Sequence, residues 1–215
     1  MVDAFRSQRL VYRAIEDNDE DIEFLHSLNL ESEGRINGNA SLFKPVNKKY
    51  AQELANTFHE SFLGVLICLC ISSENGEERG SDAAASKALK PIGRVRLWKV
   101  NEKDRHHRNA NIGISIASAY QRKGYGSEAI EWVLNWAFQM AGLHRVGVTC
   151  FSYNPEAGKL YEHLGFVYEG RKRESLWYDG EWHDYIFFGM LKSEWQVKNE
   201  KEKIGSGSTI ISVNS

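Results

Sequence analysis

The sequence predicts an α/β fold, and three observations lead to that prediction. Its 215 residues are 42% hydrophobic, which is enough for one domain with a sizeable core. Short apolar stretches typical of strands are separated by stretches in which apolar residues recur at helical spacing. A glycine-containing turn, Gln121-Arg122-Lys123-Gly124-Tyr125-Gly126, joins one such strand to one such helix. Strand, glycine turn and helix in this order are typical of α/β domains.

The first half of the chain is expected to contain strands and helices in mixed order. We predict strands at 10–15, 62–71 and 91–100, and helices at 17–28 and 47–60. Acidic residues in the first turns of the first helix suit the positive end of its dipole. Residues 31–45 are polar and predicted to be irregular. Residues 72–90 are rich in Ser, Glu, Gly and Ala and are predicted to form a flexible insertion.

The second half continues the alternation. We predict strands at 111–116, 145–152, 166–177 and 184–191, a helix after the glycine turn and another at 154–165. Asp179-Gly180 is a hairpin signal between the last two strands. The domain is expected to span 8–195, and 196–215, first charged and then rich in Gly and Ser, to be a disordered tail.

The glycine turn has the features of an anion site. The first N–H groups of a helix have no helical partner, and the helix dipole favours negative charge there. We expect Gly124 and Gly126 to adopt positive φ and to let the main chain approach a phosphate closely. The turn therefore suggests a ligand that carries a phosphate or pyrophosphate.

Two cofactor classes fit this turn. From Gly124 the chain reads Gly-Tyr-Gly-Ser-Glu-Ala, which matches a dinucleotide fingerprint. That fingerprint also needs an acidic residue at the end of the next strand, to hold a ribose. The strand at 145–152 is followed by Tyr153 and Asn154 and offers no acid. The sequence thus gives little support to a nicotinamide cofactor.

A second motif follows on a short helix. Asn154 suits the N-cap, Pro155 the first helical position and Gly165 the position after the helix. Together with the glycine turn, the pattern Asn154, Ala157, Tyr161, Gly165 and Phe166 resembles the GCN5-related N-acetyltransferases (GNAT). The resemblance covers about 8–195 and is tightest from 111 to 190.

The resemblance implies a fold, a co-substrate and a set of site residues. The implied GNAT fold is a single mixed, mostly antiparallel central sheet with a V-shaped splay and helices on both faces. The implied co-substrate is acetyl-CoA. Tyr161 would be the general acid beside the thioester sulfur. The residues implied to bind the cofactor are Ile114, Ser115, Ile116, Gln121, Arg122, Lys123, Gly124, Tyr125, Gly126, Ser127, Asn154 and Lys159.

The general base is not assigned by this resemblance. Many members of the family carry a Glu where this chain has Asn111, and an amide cannot accept a proton at neutral pH. His106 and His107 precede the strand and have a suitable unperturbed pKa. They are alternatives to a chain of water molecules, and the base stays open.

The acceptor also stays open. Gly93-Arg94-Val95 and the segment 178–185 resemble the branch that holds ribosomal-protein N-terminal and spermidine acetyltransferases. A polyamine, a protein or peptide N-terminus, or a small-molecule amine would each fit that branch. Because Asn111 replaces the usual Glu, a non-catalytic acyl-CoA-binding module of the same fold is a second possibility.

Composition bounds the remaining classes. A net charge of −2 gives no support to nucleic-acid binding, and the longest apolar run, 62–71, is too short to span a bilayer. Residues 1–6 lack a signal-peptide pattern. Cys68 and Cys70 are expected to be small core residues and not metal ligands. We therefore expect a cytoplasmic enzyme without a metal, and the sequence leaves its oligomeric state open.

Overall fold

The computed structural model describes residues 3–71, 88–98 and 101–207. The chain divides into two compact units. The first comprises Met1–Val100 and Ile112–Val133, and the second comprises Asn101–Asn111 and Leu134–Ser215.

The first unit combines antiparallel strands with helices. Its elements are β1 (Leu10–Arg13), α1 (Asp19–Leu30), α2 (Ser32–Gly38), α3 (Lys48–His59), β2 (Leu63–Ile71), β3 (Ala88–Leu97), the end of β4 (Asn109–Ile116) and the start of α4 (Tyr125–Asn135). Strand β2 lies between β1 and β3, β4 follows β3, and each of these pairs is antiparallel. One buried cluster joins strands to helices through side chains such as Leu25, Phe58, Leu66 and Cys68. Cys68 is therefore a core residue, as predicted, whereas Cys70 is only partly buried and lies outside this cluster.

Asparagine caps define where two helices of this unit begin. The Asn18 side chain accepts a hydrogen bond from the Asp21 N–H at 2.8 Å, and α1 starts directly after Asn18. The Asn47 side chain accepts one from the Tyr50 N–H at 3.1 Å at the start of α3. Each cap satisfies an N–H group that the helix itself cannot pair.

The second unit contains the remaining strands. Its elements are the first three residues of β4, β5 (Arg145–Phe151), α5 (Pro155–His163), β6 (Val167–Tyr178), β7 (Glu181–Leu191) and α6 (Lys192–Gly207). Strand β4 pairs parallel with β5 from Asn109 to Asn111, and β7 lies antiparallel between β5 and β6. Asp179 and Gly180 have φ values of 50° and 82°, the geometry of the predicted hairpin turn.

Among the described residues the strand order is β1-β2-β3-β4-β5-β7-β6, and β4 with β5 is the one parallel pair among antiparallel ones. A mixed, mostly antiparallel seven-stranded sheet with helices confirms the predicted fold class.

Three segments differ from the prediction. Residues 32–38, expected to be irregular, form α2; its sequence Ser-Glu-Gly-Arg-Ile-Asn-Gly has no apolar stripe that would indicate a helix. Of the predicted insertion, Ala88, Leu89 and Lys90 belong to β3 and pair with β2, and 72–87 lie outside the described residues. Of the predicted disordered tail at 196–215, the residues as far as Gly207 belong to α6, which begins directly after β7, and 208–215 lie outside the described residues.

Candidate active site

The glycine turn connects β4 to α4 through two residues in the left-handed region. A 3₁₀ turn, Ser118–Tyr120, follows β4, and α4 begins at Tyr125. Arg122 has φ of 57° and Gly124 has φ of 81°. Gly126 does not have positive φ, contrary to our expectation, because it lies in the first turn of α4. Of the two glycines in the turn, only Gly124 therefore has a backbone conformation that favours glycine.

The start of α4 has the predicted character of an anion site. Its first hydrogen bond to the preceding turn runs from the Glu128 N–H to the Gly124 oxygen at 3.1 Å. By helix geometry, the N–H groups of Tyr125, Gly126 and Ser127 have no carbonyl four residues earlier in the helix. These N–H groups and the helix dipole favour a bound anion. Gly124 is exposed, which leaves the main chain accessible there.

The polar side chains of the turn differ in whether they have a hydrogen-bond partner within the protein. The Gln121 side-chain amide donates to the Ile116 oxygen at 2.9 Å, which holds the turn against the end of β4. Lys123 Nζ donates to the Ala119 oxygen at 2.8 Å. Arg122 is exposed, and the described part of the chain offers its side chain no hydrogen bond or ion pair. Arg122 is thus the side chain of the turn that is most available to an anion.

Arg9 and Glu128 hold the turn in place, and sequence analysis missed both. Arg9 Nε donates to Glu128 Oε2 at 2.7 Å, and Arg9 Nη1 donates to the Lys123 oxygen at 3.0 Å. The Arg9 guanidinium also lies 4.6 Å from the Tyr125 ring centroid. Burial would raise the pKa of Glu128, but hydrogen bonds from Ser7 and Arg9 outweigh it and lower that pKa. A separation of 119 residues left no local signal for this pair.

The end of β4 offers backbone groups as well. Gly93 lies opposite Ile116 and Arg94 opposite Ser115, and the Ala117 N–H donates to the Ile92 oxygen at 2.9 Å. Since hydrogen-bonded pairs alternate along antiparallel strands, the Ser115 backbone faces β3 while those of Ile114 and Ile116 point away from it. The backbones of Ile114 and Ile116 therefore have the orientation expected of cofactor-edge residues, and that of Ser115 does not.

In the second unit, Asn154 and Lys159 lie on α5. The Asn154 side chain accepts a hydrogen bond from the Ala157 N–H at 3.4 Å, as the predicted N-cap should. Pro155 occupies the first helical position. Lys159 is exposed and pairs with Glu156 at 2.8 Å, one turn away on the same helix. Lys159 is thus a surface residue with a partner on its own helix, and its contact with the cofactor stays a prediction.

Tyr161 is buried on the inner face of the same helix. It is 7% exposed, and its ring centroid lies 6.0 Å from that of Phe166 and 5.8 Å from that of Phe188. Burial, and after it the nearby Cys150 thiol, raises the pKa of Tyr161 well above its usual range. A phenol is protonated at neutral pH even at its ordinary pKa, so Tyr161 can donate a hydrogen bond, and its burial makes it a weaker acid.

The structure shows where Asn111, His106 and His107 lie but does not identify the general base. Asn111 is exposed and lies opposite Gly147 on β5, where a Cβ at Gly147 would clash with Asn111 Oδ1. The Asn111 amide therefore covers the Gly147 backbone. His106 and His107 are both exposed, with ring centroids 3.8 Å apart. Neither histidine is held by a hydrogen bond to the described residues, so the base stays unassigned.

Comparison with known proteins shows the family. The sequence model of the Acetyltransferase (GNAT) domain matches residues 9–167, about three quarters of the chain and parts of both units. The chain therefore belongs to the GNAT acetyltransferase family. No helix among the described residues combines the length and apolar character needed to cross a membrane.

Individual relatives agree with this family. A putative ribosomal N-acetyltransferase of Bacillus subtilis is 32% identical over 93 residues, 43% of this chain and 51% of that protein. The spermidine N(1)-acetyltransferase of Vibrio cholerae is 33% identical over 127 residues, 59% of this chain and 70% of that protein. The chain thus spans about half to seven tenths of the length of these curated relatives. The solved structure of spermidine N-acetyltransferase from Vibrio cholerae in complex with CoA and spermine matches 88% of this chain and 99% of that one, with a TM-score of 0.68 and 26% identity.

Proposed function

We propose that this protein moves an acetyl group from acetyl-CoA to a primary amine by direct transfer. The observation that carries the proposal is the turn before α4, with an exposed Gly124 at positive φ and an exposed Arg122. Helix geometry leaves the first N–H groups of α4 without a helical carbonyl partner. These groups fit a pyrophosphate, since oriented N–H groups and a nearby cation are what such an anion needs. Family membership over residues 9–167 supports acetyl-CoA as the donor.

Each residue would act on a different part of the donor. The N–H groups at the start of α4 and Arg122 would hold the pyrophosphate, and Arg9 would keep the turn in its binding conformation. Backbone groups of Ile114 and Ile116 would bind the pantetheine arm, and an N–H directed at the thioester oxygen would stabilise negative charge developing there. Asn154 is proposed to contact the same arm.

Acetyl-CoA would supply an activated thioester whose carbon–sulfur bond breaks as a carbon–nitrogen bond forms. The amine loses one proton and the departing thiolate gains one. Tyr161 is proposed as the general acid beside that thiolate; its phenol is protonated at neutral pH, and burial, which raises its pKa, makes it a weaker acid. Because a thiol has a lower pKa than a phenol, a strong hydrogen bond in the transition state would supply most of the stabilisation.

The experiment that tests the proposal has two readouts. Calorimetry should show acetyl-CoA binding that is weakened by Arg122→Gln, because that change removes a cation from the turn. Free-thiol release should appear with at least one class of primary amine. Acetyl-CoA binding without thiol release from any amine would favour a non-catalytic acyl-CoA-binding module, the alternative that Asn111 in the place of the usual Glu suggests.

A further inference from the structure

Two arginines on β3 carry charges that the described residues do not neutralise. Arg94 and Arg96 alternate with the buried residues Val95 and Leu97, so both project from the same face of the strand. Arg94 Nη2 donates to Asn29 Oδ1 at 3.3 Å. Arg94 Nη1 is closed off from solvent and has no hydrogen-bond partner in the described part of the chain. Leaving such a group unpaired is unfavourable for folding.

Aromatic rings lie close to the guanidinium groups of Arg94 and Arg96. The Arg96 guanidinium carbon lies 3.5 Å from the Trp98 ring centroid and 5.1 Å from that of Phe58, and that of Arg94 lies 5.7 Å from Phe58. A third cation, Arg35, lies 5.6 Å from the Tyr50 ring. Stacking on an aromatic face leaves the edge of a guanidinium available to a planar anion such as a carboxylate, and this applies to the partly exposed Arg96. Arg94 is closed off from solvent at Nη1 and contributes its charge.

No acid among the described residues pairs with Arg94 or Arg96. Burial, and after it the charge of Arg96, lowers the pKa of Arg94 to about 10, so the guanidinium is charged at neutral pH but lacks a compensating anion. Arg96 has a neutral partner, because its Nη1 donates to Thr57 Oγ1 at 3.0 Å. An incoming anion would relieve the repulsion between the two arginines.

The pair lies beside the strand that we assign to the donor. Arg94 is opposite Ser115 and Arg96 is opposite Gly113, and residues directly opposite in a sheet project to the same face. A Cβ at Gly113 would lie 3.7 Å from Arg96 Nε and 3.3 Å from Trp98 Nε1, so the absence of a side chain at Gly113 gives these groups room. The adjacent Ile114 backbone belongs to the proposed thioester site.

We propose that Arg96, reinforced by the buried charge of Arg94 beside it, binds a carboxylate on the acceptor, so that the acetylated amine belongs to an amino acid or to a peptide with an acidic residue near its N-terminus. This assignment rests on the proposed acetyl transfer and narrows its substrate class. A cationic polyamine would be disfavoured at this face, because its ammonium groups would meet two guanidiniums that lack a counter-ion.

The test compares acceptors that differ only in charge. Thiol release is measured with acidic peptides and their Asn or Gln counterparts, with glutamate and its amide, and with spermidine. We expect a KM at least tenfold lower for the acidic member of the preferred pair. Arg96→Gln should raise that KM by about 10- to 100-fold, the size of a lost hydrogen bond to a charged group, and leave the amide counterpart unchanged. The peptide and amino-acid arms identify the source of the carboxylate.

Controls separate recognition from folding and from donor binding. Lys49→Gln removes an exposed cation from α3 and should change no KM. Arg94→Gln should raise the acceptor KM without lowering the melting temperature, since the buried charge that it removes has a neutral hydrogen-bond partner in Asn29 but no counter-ion among the described residues. Equal KM values for acidic and amide acceptors, or a tenfold higher acetyl-CoA KM in Arg96→Gln, would overturn the assignment. If no acceptor releases thiol, calorimetry measures the binding of the acidic peptide and of its amide counterpart. Tighter binding of the acidic peptide, with the difference lost in Arg96→Gln, supports the anion site and rejects acetyl transfer. Equal binding of the two peptides rejects both the anion site and acetyl transfer.

Discussion

Replacing Gly124 by alanine should destabilise the protein and weaken its binding of acetyl-CoA. Gly124 has φ of 81°, and a residue with a Cβ costs about 1–2 kcal/mol more than glycine in the left-handed region. The new Cβ would also lie 3.2 Å from Arg9 Nη2, the flexible end of the side chain that holds the turn. We therefore expect Gly124→Ala to lower the free energy of unfolding by about 1–2 kcal/mol and to raise the acetyl-CoA Kd by about tenfold.

Gly126→Ala is the matched control for this prediction. Gly126 lies within α4 without positive φ, and its added Cβ would make an ordinary contact, 3.9 Å from Ile116 Cγ1. Alanine is favoured over glycine inside a helix by about 0.5–1 kcal/mol, so this variant should be at least as stable as the parent. Urea denaturation gives both stabilities and calorimetry gives both Kd values. Equal stability of the two variants would show that the left-handed geometry of Gly124 is not what the turn requires.

Three further predictions follow from named contacts. Tyr161→Phe should lower turnover by about 100-fold and leave the acetyl-CoA Kd nearly unchanged, as thiol release and calorimetry can show; unchanged turnover would remove Tyr161 from the mechanism. Arg9→Gln should weaken acetyl-CoA binding by about tenfold, because it removes the hydrogen bonds from Arg9 to Lys123 and Glu128. The effect is moderate because Arg9 is partly exposed. An unchanged Kd would contradict the role of Arg9 in holding the turn. Asp21→Asn should lower the free energy of unfolding by about 3 kcal/mol at pH 7, because it leaves the Arg13 guanidinium without its carboxylate. Burial would raise the pKa of Asp21, but the hydrogen bonds from Arg13 and from the Glu16 N–H outweigh it and lower that pKa. The contribution of Asp21 is therefore present above about pH 4 and lost as pH falls below it, so parent and variant should converge in acid, and a constant difference would refute the ion pair.

The elements around the glycine turn were predictable because local pattern and tertiary burial agree there. Ile112, Ile114 and Ile116 alternate on β4, and the apolar face of α4 recurs at helical spacing. Helix α2 was not predictable in this way, since its polar sequence shows no apolar periodicity. Helix α6 was missed for a similar reason, because the charged residues after Trp195 resemble a tail.

The site was predictable as a set of positions but not as a set of contacts. The motif located the turn, yet it could not tell that Gly124 has positive φ and Gly126 does not. The support from Arg9 to Glu128 depends on a contact between distant parts of the chain, which one sequence does not reveal. The contact of Lys159, in contrast, could be predicted from the sequence, because Glu156 lies three residues earlier on the same helix.

The measurement that tests the central claim most directly is free-thiol release from acetyl-CoA by the full chain, with a panel of primary amines. The panel holds spermidine, spermine, peptides with neutral and acidic N-terminal sequences, and free amino acids. Our account predicts amine-dependent release with one class of acceptor and a loss of about 100-fold in Tyr161→Phe. Absence of release with every amine, while acetyl-CoA still raises the melting temperature, would contradict acetyl transfer and favour a binding module.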